Sequence, residues 1–262
     1  MSDFHAPGLT VQPSLSFGVG IEYGTLEYMA TKRNTIIFSL GGSLIAGPNG
    51  INVLFLKRFN AFIRKHVARG ARFFIVCGGG RTAREYAAAA KAVNGARLTD
   101  EDLDWLGIHA TRLNAHLIRT IFRDIAYPRL IKDYRTIPNG TARYSVVVGA
   151  GWKPGWSTDY DAVMLAKRFG VKTVINLTNT DLIYDKDPRN FKDAKPIPRL
   201  TWNEVLKIIG KKWKPGMNAP FDPVAAKLAK RLGLVVISCN GGDLKNLENV
   251  LRERKFVGTV IE

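Results

Sequence analysis

Three glycine clusters, each at the end of an apolar run, are the residues of this sequence best suited to chemistry. Ile36-Ile37-Phe38-Ser39-Leu40 runs into Gly41, Gly42 and Ser43; Phe73-Phe74-Ile75-Val76-Cys77 runs into Gly78, Gly79 and Gly80; Val146-Val147-Val148 runs into Gly149, Ala150 and Gly151. Glycine lets backbone N–H groups approach an anion with no Cβ in the way, and a strand end leaves those donors unpaired until a ligand arrives. The chemistry that suits is the cradling of phosphate. A single Gly-Gly after a strand is more often only a turn; repetition along one chain points to one large ligand crevice.

The polar residues beside the clusters extend this reading. Arg81 and Arg84 fall within or near the first turn of a helix that follows Gly80, where a guanidinium can fork onto a phosphate held by backbone amides. A solvated helix face is the plainer use of either. Ser157, Thr158 and Asp159 open another helix, where they would serve as N-cap groups or as a polar cluster facing a transferred phosphoryl group. A fourth run, Val174-Ile175-Asn176-Leu177, ends in Thr178, Asn179, Thr180 and Asp181, with Tyr184 and Asp187 just beyond.

The elements that must position these residues are legible from spacing. Leu56, Phe59, Ile63 and Val67 recur at helical intervals between the first two apolar runs, which makes a βαβ crossover and forces parallel strands. In such sheets ligands collect at the carboxyl ends of the strands, where the clusters sit. Val163, Ala166 and Phe169 face inward on the helix after Asp159. Leu103, Leu106, Ala110, Leu113, Leu117 and Ile121 trace a further stripe at helical spacing, which reads as core. A chain of 262 residues, 46% hydrophobic, can bury a full core. The expected fold is α/β: a three-layer α/β/α sandwich with a mainly parallel central sheet.

Several short motifs in order identify a resemblance. They are Phe38-Ser39-Leu40-Gly41-Gly42-Ser43; Gly78-Gly79-Gly80 with Arg84; Asp104-Trp105-Leu106-Gly107 with Ala110-Thr111-Arg112-Leu113-Asn114; Pro154-Gly155 with Ser157-Thr158-Asp159; Leu177-Thr178-Asn179-Thr180-Asp181 with Tyr184 and Asp187-Pro188; and Asp222-Pro223-Val224-Ala225-Ala226-Lys227. The set resembles the amino acid kinase superfamily and, within it, the archaeal-type branch of the uridylate (UMP) kinases, over about residues 35–262. The Asp104 and Asn114 block resembles the nucleotide-acceptor side of uridylate kinases more than the acetylglutamate or carbamate branches.

The resemblance implies a Mg-dependent transfer of the ATP γ-phosphoryl group to UMP, giving UDP. It implies one domain over residues 34–262, with an acceptor-binding half over 34–145 and an ATP-binding half over 146–262, preceded by an N-terminal extension over 1–33. Gly41, Gly42 and Ser43 would line the transferred group. Gly79, Gly80 and Arg84 would hold the acceptor phosphate and Asp104 its ribose. Asn114 and Thr158 would border the acceptor, Asp159 would organise the catalytic groups, and Thr178, Asp181, Tyr184 and Asp187 would belong to the ATP half. No protein ligand to a metal is assigned, because magnesium would bridge donor phosphates. A homo-oligomer, a hexamer built from dimers, and a cytoplasmic location are further implications.

Two departures matter. Bacterial uridylate kinases carry a lysine where this sequence has Ser39, as archaeal-type members also lack it, so another cation must serve; Lys153 is the first candidate and Arg81 the second. Trp152 and Trp156 are bulky where that loop usually has smaller or polar residues, which leaves acceptor selectivity open. A kinase of another small phosphate or carboxylate, or an anion- or nucleotide-binding storage or regulatory protein on the same fold, is therefore carried as an alternative. Asp159, Asp181 and Asp187 argue against the latter, since a pure anion binder gains nothing from nearby carboxylates.

Composition bounds the rest. The apolar runs are too short to span a membrane, and the N-terminus lacks the layout of a signal peptide. Cys77 and Cys239 read as buried thiols, and His5, His66, His109 and His116 are scattered, with no metal-ligand spacing. Net charge is +17, and residues 186–231 hold twelve Lys and Arg against four Asp and Glu. Such a face attracts polyanions in a salt-dependent way, but a positive cleft also suits two nucleotide substrates. No helix-turn-helix, RRM or zinc-finger pattern is present, so a dedicated nucleic-acid role is not expected.

Overall fold

The computed structural model describes residues 34–186, 188, 190–210, 212–217 and 219–262; the N-terminal extension and Asp187 lie outside the described residues. The chain runs β1 (Thr35–Leu40), the one-turn α1 (Gly42–Ile45), a hairpin of β2 (Ala46–Gly47) and β3 (Gly50–Ile51), α2 (Val53–Val67), β4 (Arg72–Cys77), α3 (Gly80–Asn94) and α4 (Asp100–Ile121). It continues through β5 (Val146–Gly149), α5 (Thr158–Phe169), β6 (Thr173–Thr178), the paired β7 (Ile183–Tyr184) and β8 (Pro196–Ile197), β9 (Arg199–Leu200) and α6 (Trp202–Ile209). Last come α7 (Pro223–Leu232), β10 (Val235–Asn240), α8 (Leu244–Leu251) and β11 (Thr259–Ile261).

Seven strands form one sheet in the order β5-β4-β1-β6-β10-β11-β9. Each pairing is parallel except β10 with β11. The chain moves outward from β1 to β4 and β5, then returns to lay β6 on the other side of β1. That reversal is a topological switch point, where sheets of this kind open a crevice beyond the strand ends. Gly41 ties its floor together, donating its N–H to the Leu177 carbonyl at 2.8 Å. A Cβ there would stand 2.7 Å from that same oxygen.

The period-2 alternation of the strands divides the core between two faces. Phe38, Leu40, Phe73 and Ile75 pack against Phe55 and Phe59 of α2 and Leu247 of α8. Ile37, Phe74, Val76 and Val147 pack against Ala162 and Val163 of α5 and Ala225 of α7. Helices thus cover both faces, as the three-layer expectation requires. Ser39 shares the parity of Ile37 and is turned toward α5, although its neighbours are apolar. The helix ends follow their capping residues: Asn52 for α2, a Thr99 and Asp102 capping box for α4, Ser157 for α5, and Asp222 followed by Pro223 for α7.

The α4 stripe differs from its sequence reading. The inward face carries Leu103, Asp104, Ile108, Ala110, Thr111, Asn114, Ala115 and Ile118, while Leu113 is 64% exposed. The helix is rotated so that its polar residues reach the glycine loops, and part of the apolar stripe is left outside. The neighbouring α3 buries none of its residues.

Candidate functional site

The centre of the crevice is a chain of side-chain and backbone contacts between β1, α5 and α7. The Ser39 hydroxyl donates to Asp159 Oδ1 at 2.7 Å, and the Asp222 N–H donates to Asp159 Oδ2 at 3.2 Å. Asp222 in turn accepts the N–H groups of Ser157 and Val224, each at 2.7 Å. Ser157 Oγ accepts the Asp159 N–H at 3.1 Å. The N-termini of α5 and α7 are thereby laced together beside the end of β1, and both macrodipoles favour negative charge there. Burial pushes the Asp159 carboxyl up to about 6; the Ser39 hydrogen bond opposes this and the charge of Asp222 adds to it. Burial also raises the Asp222 carboxyl.

The two first glycine clusters meet each other. A Cβ on Gly42 would collide with the Gly80 amide and stand 2.5 Å from the Gly78 carbonyl, and Gly80 has φ +62°. The first requirement for glycine here is therefore the close approach of two loops, with any ligand approach built on top of it. Asn114 fixes the second loop from α4, its Nδ2 donating to the Gly78 and Gly79 carbonyls at 2.8 and 3.1 Å. Ser43 and Thr158 lie partly accessible in the first turns of α1 and α5.

The same helix holds the third cluster. Thr111 Oγ1 accepts the Gly151 N–H at 2.8 Å, and Arg112 donates to the Trp152 carbonyl at 3.2 Å. Asp104, only 9% exposed, accepts the Gly155 N–H at 2.8 Å and the Trp213 indole N–H at 3.1 and 3.2 Å to its two oxygens. Burial raises its carboxyl above the usual range. From the other side Asp161, fully buried, accepts the Trp152 N–H and the Trp156 indole N–H, both at 3.3 Å. Burial holds that carboxyl well above its ordinary value.

Of the residues expected on the ATP side, Thr178 and Asp181 lie by the ends of β6 and β10. Thr178 Oγ1 accepts the Thr180 N–H at 3.2 Å, and the Asn240 amide donates to Asp181 Oδ1 at 2.9 Å. Tyr184 stands in the β7 and β8 hairpin. Asp187 lies outside the described residues.

The candidate residues thus divide. Gly41, Gly42, Gly79, Gly80, Asp104, Asn114 and Asp159 are drawn around the strand ends by the contacts above, with Thr178 and Asp181 beside them. Arg84 is exposed on α3 and has no protein partner among the described residues. Lys153 is exposed, its ammonium over the rings of Trp152 and Trp156 at 5.2 and 5.0 Å from their centroids. Arg81 is engaged by Glu85 and the Pro48 carbonyl. Asp161, Asp222 and Trp213 received no role from the sequence. Asp222 was detectable as an N-cap ahead of Pro223, whereas no local pattern in the sequence marks Asp161 or Trp213.

Comparison with known proteins agrees with this architecture. The sequence matches the amino acid kinase family over residues 34–238. It is 36% identical over 233 residues to the uridylate kinase of Methanospirillum hungatei, covering 87% of this chain and 94% of that protein. It is 32% identical to that of Pyrococcus abyssi, covering 87% and 99%. The crystal structure of the Archaeoglobus fulgidus uridylate kinase superposes with a TM-score of 0.72 at 30% identity, over 87% of this chain and 99% of that one. The Bacillus anthracis UMP kinase shares the fold at a TM-score of 0.68 and 20% identity. With its switch-point crevice, its interlocked glycine loops and these relatives, the chain belongs to the amino acid kinase family, in the archaeal uridylate-kinase branch.

Proposed function

We propose that the protein is a UMP kinase, moving the γ-phosphoryl group of ATP to the phosphate of UMP to give UDP and ADP. The observation that carries this reading is on α4: Asp104 and Asn114 both turn inward, one at the Gly155 amide and the other on the Gly78 and Gly79 carbonyls. A ribose seat and a phosphate loop are then held by one rigid helix.

Phosphoryl transfer needs little covalent work from a protein; alignment and charge neutralisation lower most of the barrier. An acceptor phosphate oxygen attacks the γ-phosphorus as the bond to the ADP oxygen breaks. With its second pKa near 6 the acceptor is largely ionised at neutral pH, so no general base is needed. Backbone N–H groups of Gly42 and Ser43 would stabilise the equatorial oxygens, the Gly41 N–H being held by the Leu177 carbonyl; Gly79, Gly80 and Arg84 would hold the acceptor phosphate, and Thr158 would border it. Asp159 would orient the groups around it through Ser39 and the amide of Asp222. Thr178, Asp181, Tyr184 and Asp187 would serve the ATP side.

Magnesium fits the donor set, which offers oxygen atoms and a carboxylate, Asp159, whose proton affinity burial raises and to which the charge of Asp222 adds. The ion would be held chiefly by triphosphate oxygens and water, with Asp159 its protein neighbour, and would supply charge neutralisation on the phosphates. Lys153 is the proposed protein cation in place of the lysine absent at position 39.

The exposed Tyr86, Val93, Trp105 and Leu113 of α3 and α4 support a homo-oligomer, a hexamer in this reading, and the two buried free thiols suit the cytoplasm. ADP release with Mg·ATP should be measured against UMP, CMP, dUMP, AMP, isopentenyl phosphate and acetylglutamate. Turnover well above the rest with UMP is the expected result. Another preferred acceptor would retain the chemistry and replace the substrate; nucleotide binding without turnover would make the protein a binder.

A further inference from the structure

The loop after α6 carries Lys212, Trp213 and Lys214 and lies within the basic stretch of residues 186–231. The structure puts it to a different use. The Trp213 indole N–H reaches across to α4 and takes both oxygens of Asp104, at 3.1 and 3.2 Å. With the Gly155 amide on Oδ2 at 2.8 Å, the carboxylate is 9% exposed and its charge is already served by two donors.

A nearly buried carboxylate left without donors is costly, which is why these contacts form in the empty protein. The same fact sets a condition on any ligand that would use Asp104. A carboxylate offers about four acceptor positions, and the indole straddles both oxygens. A sugar hydroxyl that takes the positions covered by the indole displaces it, and that hydroxyl then supplies the donor which the indole withdraws. A ribose supplies two O–H donors.

Resting on the UMP kinase reading, we propose that Trp213 is a latch on the acceptor site: its indole N–H holds Asp104 while the site is empty and is exchanged for the ribose hydroxyls of the acceptor nucleotide. The latch competes with the substrate, so it weakens acceptor binding. It also couples the loop after α6, on the donor side of the sheet, to occupancy of the acceptor side.

The test compares the unaltered protein with Trp213→Phe and Trp213→His in steady-state kinetics at saturating Mg·ATP, and in tryptophan emission on adding UMP alone. A hydrogen bond to a charged group is the quantity removed, so the KM for UMP is expected to fall about tenfold in Trp213→Phe. In Trp213→His, which keeps a ring N–H, KM should return toward the original value. UMP should shift the emission of the unaltered protein to the red, and the shift should vanish in Trp213→Phe. If the indole instead steadies Asp104 for the ribose, or stacks on the base, KM rises in Trp213→Phe and the proposal is overturned while the kinase reading stands. An unchanged KM also overturns it. Absence of UMP turnover by the unaltered protein removes both the kinase reading and the latch.

Discussion

Ser39 on β1 donates its hydroxyl proton to Asp159 on α5 across a 2.7 Å contact, so the position where a lysine would bring positive charge instead brings a neutral donor. Asp159 remains a carboxylate among buried groups, with its proton affinity raised to about 6. If catalysis requires the ionised form, kcat/KM, which reports the free enzyme, falls as pH drops through about 6. Ser39→Ala removes a donor that favours the ionised form. The acid limb of the kcat/KM profile should therefore move to higher pH. A limb that stays in place would mean that the hydroxyl does not tune Asp159 during turnover. Asp159→Asn should cost about 10²–10³ in kcat, the size of losing one well-placed polar group at a reaction centre.

The same carboxylate governs stability with a definite sign. Its folded value of about 6 lies above the ordinary 3.8, so the native state binds more protons than the unfolded chain between those values, and stability rises as pH falls through 6. Glu248 and Asp124 act oppositely. Hydrogen bonds, from Lys65 to Glu248 and from Arg64 to Asp124, hold each carboxyl at about 2, so what they contribute is lost as pH falls below about 4. In the nucleotide-free protein, the contribution of Asp159 to Tm should rise from pH 7.5 to 5, against an opposing one from His66, whose proton affinity burial lowers. Asp159→Asn should flatten that rise and stabilise the protein at pH 7.5 by about 1–2 kcal/mol.

Gly42 has a steric requirement that a ligand-only account would miss. Gly42→Ala drives a methyl group into the Gly80 backbone, and neither loop can yield without disturbing β1 or β4. A loss of about 2–4 kcal/mol in unfolding free energy is expected, with activity gone. Gly70→Ala is the control: its φ is +88° with nothing within 4 Å of an added Cβ, so it should cost about 1 kcal/mol from backbone strain alone. Urea unfolding of the two variants separates collision from strain; equal losses would place Gly42 outside the loop contact.

What could be read before the structure was what repeats locally. Phe38, Phe73 and Val146 announce strands by apolar runs, the glycines after them announce the strand ends, and Leu56, Phe59 and Ile63 announce α2 by spacing. Asp159 and Asn114 came from motif order. The residues missed act through contacts that depend on tertiary register. Trp213 meets Asp104 from a loop 109 positions away; Asp161 is buried because α5 lies under the two tryptophans; and Leu113 is exposed because α4 turns Asp104 and Asn114 inward. Periodicity reports which face is apolar. It does not report that a helix must present polar groups to neighbouring loops.

Lys153 offers a test of where the missing cation comes from. Its ammonium sits over two indoles, contacts worth about 0.5–1 kcal/mol each at an exposed site, which keep the charge beside the loop leading into Ser157 and Asp159. Lys153→Met retains the aliphatic stem over the rings and removes the charge. A fall in kcat of about tenfold or more, with Tm little altered, is expected if this ammonium neutralises the transferred group. Unchanged turnover at saturating substrates would eliminate Lys153 and leave Arg81 as the next to replace.

Arg84 should separate binding from folding most cleanly. It is exposed on a helix with no buried residue, and no protein group among the described residues holds it, so Arg84→Ala should change unfolding free energy by no more than about 0.5 kcal/mol. Its proposed partner is the acceptor phosphate, where a forked guanidinium makes strong charge-assisted hydrogen bonds. Losing it should raise the KM for UMP about tenfold or more while leaving the KM for ATP near its original value. Lysine at the same position keeps the charge but not the fork, and should recover only part of the loss. Equal rises in both KM values would instead place Arg84 in the general positive field of the crevice, since a residue acting only through net charge cannot tell the acceptor phosphate from the donor.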